Sequence, residues 1–363
     1  MSLQVFSERG HEPLVRFAEQ VFGHLPRSDQ RRRACAYLHG LLATPGRKTV
    51  SAMSAAADVP SIAPHSMRQF VNASSWDWRP ARAELARWAA ERMPVEAWGL
   101  KVAVVAKRGV HSPGVHRRFV PSAGRSLNCQ VALGLFLVSR TEAIPVDWAL
   151  LLPDAWADDP HRRSRARIPS NAAVPMEQAA LDLVDAQISG GGLGAVPVVA
   201  DLSACTGARQ LVRGLGLRRR DFVVALRPQG GTPPGARARG SGPLRHGAGR
   251  AVPQAGPPSA PALPPYRYFS LPGRRPTRTW MTSMTRRHAT DLRLLAGLDE
   301  QAARAVSRLG SGFGLLDFEG RSYPGWHHHM TMVSAAYAFS RLEPRLGPVR
   351  SGPGPDPHAL DGV

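Results

Sequence analysis

Lysine, cysteine and long apolar segments are scarce in this 363-residue sequence, and each absence excludes a class of protein. No apolar run approaches the ~20 residues of a membrane span, and no apolar stretch follows a basic start, as it would in a signal peptide. Three dispersed cysteines, Cys35, Cys129 and Cys205, form neither a disulfide framework nor a CxxC metal motif. The sequence therefore predicts a soluble cytoplasmic protein with no membrane partner and no metal site.

Acidic residues are also few, and this leaves the chain strongly basic. Only Lys48, Lys101 and Lys107 among its 47 basic residues are lysine, and 27 acidic residues leave a formal net charge of +20. Such a charge favours a polyanionic partner, and we expect double-stranded DNA. The excess of arginine over lysine can also come from the codon usage of a GC-rich genome. Such codon usage does not by itself explain why acidic residues are few.

Residues 1–95 are predicted to form a helical domain. Apolar residues recur at helical spacing in 31–43. Two short helices around a break are predicted in 49–72, and the second would carry Arg68 and Gln69. This pattern is typical of a DNA-binding helix-turn-helix, and a plain helical hairpin fits it equally well.

Residues 96–228 are predicted to form the first part of a mixed α/β sheet. Short Val-rich runs follow one another closely, as in an antiparallel meander, and then alternate with helical segments. The predicted strands are Leu100–Ala106, His116–Pro121, Asn128–Ser139, Ala143–Leu152, Val196–Leu202 and Phe222–Leu226, with a helix over Met176–Ile188.

A basic, Gly/Pro-rich insertion is predicted over 229–290. It combines a disordered loop with a hairpin, and from Phe222 to Thr290 the chain has eleven Arg and no Asp or Glu. Helices that complete the core are predicted over 291–346, one from about Asp291 to Leu309 and another from Met330 to Arg341, and a disordered tail is predicted over 347–363. The predicted fold class is thus an α/β mixed sheet with helices, preceded by a helical domain and interrupted by a basic insertion.

Five sequence blocks occur in an order that resembles insertion-sequence transposases of the DDE superfamily, over about residues 30–345. The blocks are His111–Val115, Asn128–Val131, Val146–Trp148 with the following LLPDAWADDP, Val199–Asp201, and Phe318–Ser322 with Gly325–His329. The resemblance implies a ribonuclease-H-like core that holds two Mg²⁺ ions on three carboxylates and cuts and rejoins DNA.

Two of the three carboxylate positions implied by that resemblance lack an acidic residue. The first position falls on Lys101 or Val102, and no Asp or Glu lies between residues 97 and 141. The second matches Asp201, for which a capping role at a strand end is an equal alternative.

The third position lies in a Tyr-x₂-Arg-x₃-Glu-x₆-Lys signature in the family. Counted back without gaps from Phe318, this signature places the Arg at Asp299, the Glu at Ala303 and the Lys at Gly310. Glu300 lies three residues from the expected place and is not expected to substitute.

The sequence therefore predicts a DNA-binding protein that has lost DNA cleavage and strand transfer, with a role as a domesticated transcriptional regulator. The alternative is an active transposase with divergent ligands, and only that alternative requires Mg²⁺ as a cofactor. We expect the protein at the nucleoid, and a homodimer is left open. The predicted DNA contacts are Arg68, Gln69, Arg162, Arg163, Arg218, Arg219, Arg220, Arg274, Arg275, Arg278, Arg286 and Arg287.

Four further candidates each have a structural alternative. Consecutive side chains on a helix point ~100° apart, so His327–His329 are not expected to converge on one metal ion, and a structural or DNA-facing helix start is favoured for them. A surface or hydrogen-bonded pair is favoured over a two-histidine metal site for His111 and His116, and Ser203 lacks the context of a hydrolase nucleophile. The aromatic residues of the predicted hairpin could stack on bases, but strand packing is favoured for Tyr266, Tyr268, Phe269 and Trp280.

Overall fold

A computed structural model describes residues 12–56, 63–120, 123–191, 195–205, 207–227, 265–271 and 278–343. Five helices come first in these ranges. They are α1 (Glu12–Phe22), α2 (Ser28–Ala43), α3 (Val50–Ala56), α4 (Pro64–Asn72) and α5 (Trp78–Ala90). Helix α5 begins where the carboxylate of Asp77 accepts a hydrogen bond from the backbone N–H of Arg79 at 3.0 Å, which satisfies a donor that the first turn leaves free.

Eight strands of the described residues form one mixed sheet. They are β1 (Ala97–Ala106), β2 (His116–Val120), β3 (Arg125–Val138), β4 (Ala143–Leu151), β5 (Val198–Asp201), β6 (Phe222–Leu226), β7 (Arg267–Ser270) and β8 (Thr279–Thr282). The strand order is β2-β3-β1-β5-β6-β8-β7, and β4 pairs with β3. The long strands β1, β3 and β4 form the predicted antiparallel meander, and β5 and β6 add to it in parallel.

Seven further helices complete the described architecture. They are α6 (Asp154–Ala157), α7 (Pro160–Ala166), α8 (Met176–Gly191), α9 (Ala208–Leu217), α10 (Ala289–Gly297), α11 (Asp299–Gly312) and α12 (Tyr323–Leu342). Helix α11 packs on β1 and β4, while α12 packs on β4 and on helices α2, α4 and α5. The alternation of β4, α8, β5, α9 and β6 confirms the predicted ribonuclease-H-like mixed α/β fold.

Three helices differ in extent from the prediction. The single helix expected from Asp291 to Leu309 is two helices that meet at Leu298. Helix α12 begins seven residues before the expected Met330, because Ser322 caps it: its Oγ accepts a hydrogen bond from the N–H of Gly325 at 3.2 Å. Helix α8 continues past the expected Ile188 to the glycines that end it.

The helical N-terminal part and the sheet share one hydrophobic core. The predicted domain boundary at residue 95 falls between α5 and β1, yet buried residues from both sides belong to the same cluster. Phe17 of α1, for example, packs its ring 4.5 Å from that of Trp88 and 5.3 Å from that of Phe339 in α12. Most of the predicted basic insertion and the predicted C-terminal tail lie outside the described residues, and no helix within the described ranges is long and apolar enough to cross a membrane.

Candidate functional site

Two neighbouring strands bring Lys101 and Asp201 to the same level of the sheet. Strands β1 and β5 run parallel with Leu100 opposite Ala200, so the next residue of each strand is also level with its neighbour. Residues at one level of adjacent strands point to the same face of a sheet. Lys101 therefore takes the place, beside Asp201, that the first carboxylate of the resemblance would occupy.

Lys101 is held by a carboxylate from the start of helix α11. Its Nζ lies 2.6 Å from Oδ2 of Asp299, whose side chain is only 7% exposed. The other oxygen, Oδ1 of Asp299, accepts a hydrogen bond from the backbone N–H of Asp201 at 2.9 Å. Asp299 thus joins β1, β5 and α11 at a single point.

Both carboxylate oxygens of Asp201 also have protein partners. Its Oδ1 accepts hydrogen bonds from the backbone N–H and the Oγ of Ser203, at 3.1 and 2.6 Å. Its Oδ2 lies 2.5 Å from a guanidinium nitrogen of Arg278, which precedes β8. The contacts with Ser203 are the strand-end role that the sequence left open for Asp201, and Arg278 faces this carboxylate.

This group of four side chains does not fit a pair of magnesium ions. Mg²⁺ is held by carboxylate oxygens and waters in a near-octahedral arrangement. Here both carboxylates face a cation of the protein, each of their four oxygens already has a protein partner, and a lysine stands at the first carboxylate position of the resemblance. Within the described ranges, no three His, Cys, Asp or Glu side chains are grouped as metal ligands. We therefore derive no metal-dependent step from this site.

The other residues weighed for the first and third positions lie elsewhere. Val102 follows Lys101 in β1 and so points to the opposite face, where it packs against a small apolar cluster. Ala303 is half-buried one turn after Asp299 on α11, and Glu300 pairs with Arg304 at 3.8 Å. Counting residues from a distant motif missed Asp299 as a site residue. Its spacing of four from Ala303, which puts both on one helix face, was the available signal.

The sequence block that contains Asp147 supplies hydrogen-bond acceptors to Arg82, a buried arginine of the N-terminal helices. Arg82 of α5 is 1% exposed, and all five of its N–H donors have acceptors. These are Oγ1 of Thr331 at 2.8 Å, Oδ1 of Asp147 at 2.5 Å, the carbonyl of Trp148 at 2.9 Å, and Nδ1 and the carbonyl of His327 at 3.1 and 3.0 Å. This network joins α5, β4 and α12.

Other blocks of the resemblance contact one another directly. The side-chain amide of Gln130 donates to the carbonyl of Pro113 at 2.7 Å, and Oγ of Ser112 donates to the carbonyl of Gly320 at 2.9 Å. The blocks that begin at His111, Asn128 and Phe318 are therefore parts of one packed region. Both contacts are hydrogen bonds from a side chain to a backbone carbonyl, and they hold these segments together.

The three consecutive histidines of α12 are buried and point in different directions. His328 contacts the carbonyls of Val71 and Trp76, each at 2.8 Å, and its ring stacks 4.0 Å from that of Trp76. In its neutral form, His329 donates from Nε2 to the carbonyl of Gly314 at 2.8 Å and accepts at Nδ1 from the hydroxyl of Tyr37 at 3.1 Å. Burial lowers the pKa of His328 and of His329 to about 4. The three side chains are buried, which fits the structural role and not the DNA-facing one.

The residues predicted to bind DNA are spread over several parts of the surface. Arg68 and Gln69 are exposed on α4, and Arg286 and Arg287 are exposed after β8. The turn between α3 and α4 lies outside the described residues, so the helix-turn-helix stays a prediction.

The remaining predicted DNA contacts include several with protein partners. Arg162 lies 3.3 Å from Asp159, and Arg218 lies 2.7 Å from Asp185. Arg163 and Arg220 are half-buried, Arg219 is exposed, and Arg274 and Arg275 lie outside the described residues.

The aromatic side chains of the β7–β8 hairpin and the histidines outside α12 mostly contact other parts of the protein. Phe269 and Trp280 stack on each other across β7 and β8 with ring centroids 6.4 Å apart, and Tyr266 is buried. Nδ1 of His116 donates to the carbonyl of Gly114 at 3.1 Å, and His111 is exposed. These contacts fit the structural alternatives given above.

Comparison with known protein families identifies the family of this chain. A family model described as DDE superfamily endonuclease matches residues 20–287, more than half of the chain. No curated protein matches the sequence.

Proposed function

The chain belongs to the DDE superfamily endonucleases, and from that premise we propose that it binds double-stranded DNA but has lost the ability to cleave and rejoin it. The proposal extends to a regulatory role on DNA at the nucleoid. Under this proposal, the residues at the place of the family's catalytic centre have a structural role in this chain.

One observation carries the loss of cleavage, namely the chain of ion pairs from Lys101 through Asp299 and Asp201 to Arg278. Two cations and two carboxylates leave the four side chains with no net charge. Two Mg²⁺ ions that stabilise an attacking and a leaving oxygen need several negatively charged ligands close together. Lys101 would instead place a positive charge against both ions, and Coulomb repulsion at such short range in a largely buried site costs several kcal/mol.

DNA binding is supported by charge and by family. The net charge of +20 favours association with a polyanion. Exposed Arg68 and Gln69 on α4 are side chains that can read base edges, and exposed Arg286 and Arg287 can neutralise phosphates. Gene regulation would further require a preferred DNA sequence, which crosslinking of the tagged protein to genomic DNA would identify.

The loss of cleavage is tested with labelled duplex DNA and Mg²⁺ or Mn²⁺. We expect no strand cleavage or transfer by the wild-type protein with either metal. Cleavage that disappears in Asp201→Ala would overturn the proposal and favour the alternative, an active transposase with divergent ligands. That alternative has one observation on its side, which is that Asp201 and Asp299 are adjacent.

A metal titration tests why cleavage is absent. Lys101→Asp replaces the cation by a third carboxylate at the same level of the sheet, and Lys101→Met removes the charge without adding a ligand. We expect Mn²⁺ binding by calorimetry to be strongest in Lys101→Asp and weakest in the wild type. Equal binding in all three proteins would show that Lys101 does not exclude the metal.

DNA binding itself is tested by its dependence on salt. Each phosphate neutralised contributes about −0.9 to the slope of log affinity against log salt, so six to ten contacts predict a loss of roughly 10³-fold or more between ~50 and ~200 mM. A gel-shift titration at both concentrations measures this. Absence of salt-sensitive binding would reject the proposed function.

A further inference from the structure

A cleft lined by arginines lies between strand β2, helix α7 and the segment before α12. Its volume is about 410 Å³, and its charged lining consists of Arg117, Arg162, Arg165 and Arg321, accompanied by His111 and His116. No acidic side chain among the described residues lines it. We call these residues the arginine cleft. We propose that it binds a phosphate of the DNA backbone, an inference that rests on the proposed function and locates one of its contacts.

Three of the four guanidinium groups are available to a ligand. Arg117, Arg165 and Arg321 are exposed, and their side chains make no hydrogen bond or ion pair with the part of the chain that the structure describes. Arg162 is partly engaged, since its guanidinium lies 3.3 Å from Asp159 and 5.6 Å from the ring centre of Trp156. Like charges brought together without a counter-charge repel each other, and an anion in the cleft would offset that repulsion.

The walls of the cleft are held in place by the fold. The indole N–H of Trp156 donates to the carbonyl of Val115 at 2.8 Å, which ties α6 to the segment before β2. Trp156, Ala166 and Ile168 form a separate buried apolar cluster beneath α7. A guanidinium fork binds phosphate oxygens bidentately, and a site of this kind gains affinity when its arginines need little reorganisation on binding.

The surroundings favour nucleic acid over an isolated phosphate. Phe119 lies two residues after Arg117 on the same face of β2 and is 58% exposed, so it offers a surface on which a base could stack. Exposed Arg108, two residues before Val110 of the cleft lining, adds a further positive charge to this part of the surface.

The test compares two triple variants of the full chain. The cleft variant is Arg117→Ala, Arg165→Ala and Arg321→Ala. The control is Arg16→Ala, Arg87→Ala and Arg304→Ala, which removes three positive charges from α1, α5 and α11. Circular dichroism and thermal unfolding establish that both variants fold, and affinity for duplex DNA is then measured across a series of salt concentrations.

We expect the cleft variant to lose affinity ~10-fold or more, because it loses charge-assisted hydrogen bonds to the phosphate. Its salt slope should become shallower by about 0.9 for each phosphate that the protein no longer neutralises, and the control should keep the wild-type slope. Equal losses in both variants would overturn the cleft as a site while leaving DNA binding intact. If the wild-type protein binds no DNA, the proposed function fails first.

A competition experiment separates DNA from other sources of phosphate. Inorganic phosphate and adenosine monophosphate are titrated against the wild-type protein and its duplex complex. We expect neither to displace DNA at micromolar concentration. Micromolar binding of either that disappears in the cleft variant, with DNA affinity unchanged, would assign the cleft to a free phosphate ligand and overturn the proposal.

Discussion

Replacing Arg82 by alanine should destabilise the protein more than any change at its surface. The side chain is buried and donates to acceptors in β4 and α12, so it fastens α5 to the rest of the core. Its loss leaves Asp147, whose side chain is only 13% exposed, without its cationic partner. The carboxylate then keeps only the backbone N–H of Trp148 and the amide of Gln187.

The magnitude follows from the cost of an unpaired buried charge. Removing one partner of a buried ion pair costs about 3–5 kcal/mol, because the remaining charge stays out of water without compensation. A protein is usually stable by about 5–15 kcal/mol, so this change removes a large part of the total. For Arg82 the free acceptors of Thr331 and His327 add to the loss.

Equilibrium unfolding in guanidinium chloride measures the effect, with Arg79→Ala as the matched control. Arg79 lies on the same helix, its side chain is 76% exposed, and its pair with Asp77 spans 3.4 Å. An exposed pair of this kind contributes about 0–1 kcal/mol. If Arg82→Ala does not fold, Arg82→Lys keeps the charge but reaches fewer acceptors, and it should show an intermediate loss. A loss for Arg82→Ala no larger than that of Arg79→Ala would refute the reasoning.

Two further predictions concern pH and packing. Burial lowers the pKa of His329 to about 4, whereas an unfolded histidine titrates near 6.5, so protons favour the unfolded chain as the pH falls through that interval. The unfolding free energy should therefore fall between pH ~6.5 and ~4, by up to about 1.4 kcal/mol per pH unit for this residue, and His329→Gln should show a shallower pH dependence in urea titrations; parallel curves would contradict this. A Cβ at Gly40 would lie 2.8 Å from Cβ of Met53 and 3.0 Å from its carbonyl oxygen, so Gly40→Ala should lower stability by about 1–3 kcal/mol. The control Gly312→Ala, with nothing of the described structure within 4 Å, should be neutral or stabilising, and equal thermal shifts for the two variants would count against the packing argument.

Much of the fold follows from local pattern. The meander and the alternation of helices with β5 and β6 are visible as apolar runs of the right length, because a buried strand has to be apolar on both faces. The start of α12 was missed because the capping contact of Ser322 is a single polar side chain ahead of an unusual Trp-His-His-His run. The division at Leu298 was missed because both helices carry apolar residues on compatible faces.

The candidate site was only half predictable, for a physical reason. An absence can be established from sequence, and the missing acid at Lys101 was found in this way. The residue that contacts Lys101 across the fold cannot be found by counting along the sequence. The packing of α11 on β1 decides which turn of that helix reaches the sheet. The family signature predicts a cationic residue at the position of Asp299, and the structure places this carboxylate against Lys101.

The stability of the fold around Lys101, Asp299, Asp201 and Arg278 has a simple electrostatic explanation. A cluster of buried carboxylates depends on its metal ions, since without them like charges remain uncompensated in a poorly solvated place. Lys101 and Arg278 supply that compensation from within the chain, at 2.6 and 2.5 Å from Asp299 and Asp201. The blocks that resemble the family, such as those of Asp147 and His327, serve helix packing and are needed whether or not DNA is cut. If the chain binds DNA without cutting it, as proposed, it has physical reasons to keep these blocks, and Lys101 and Arg278 take the place of metal ions beside the two carboxylates.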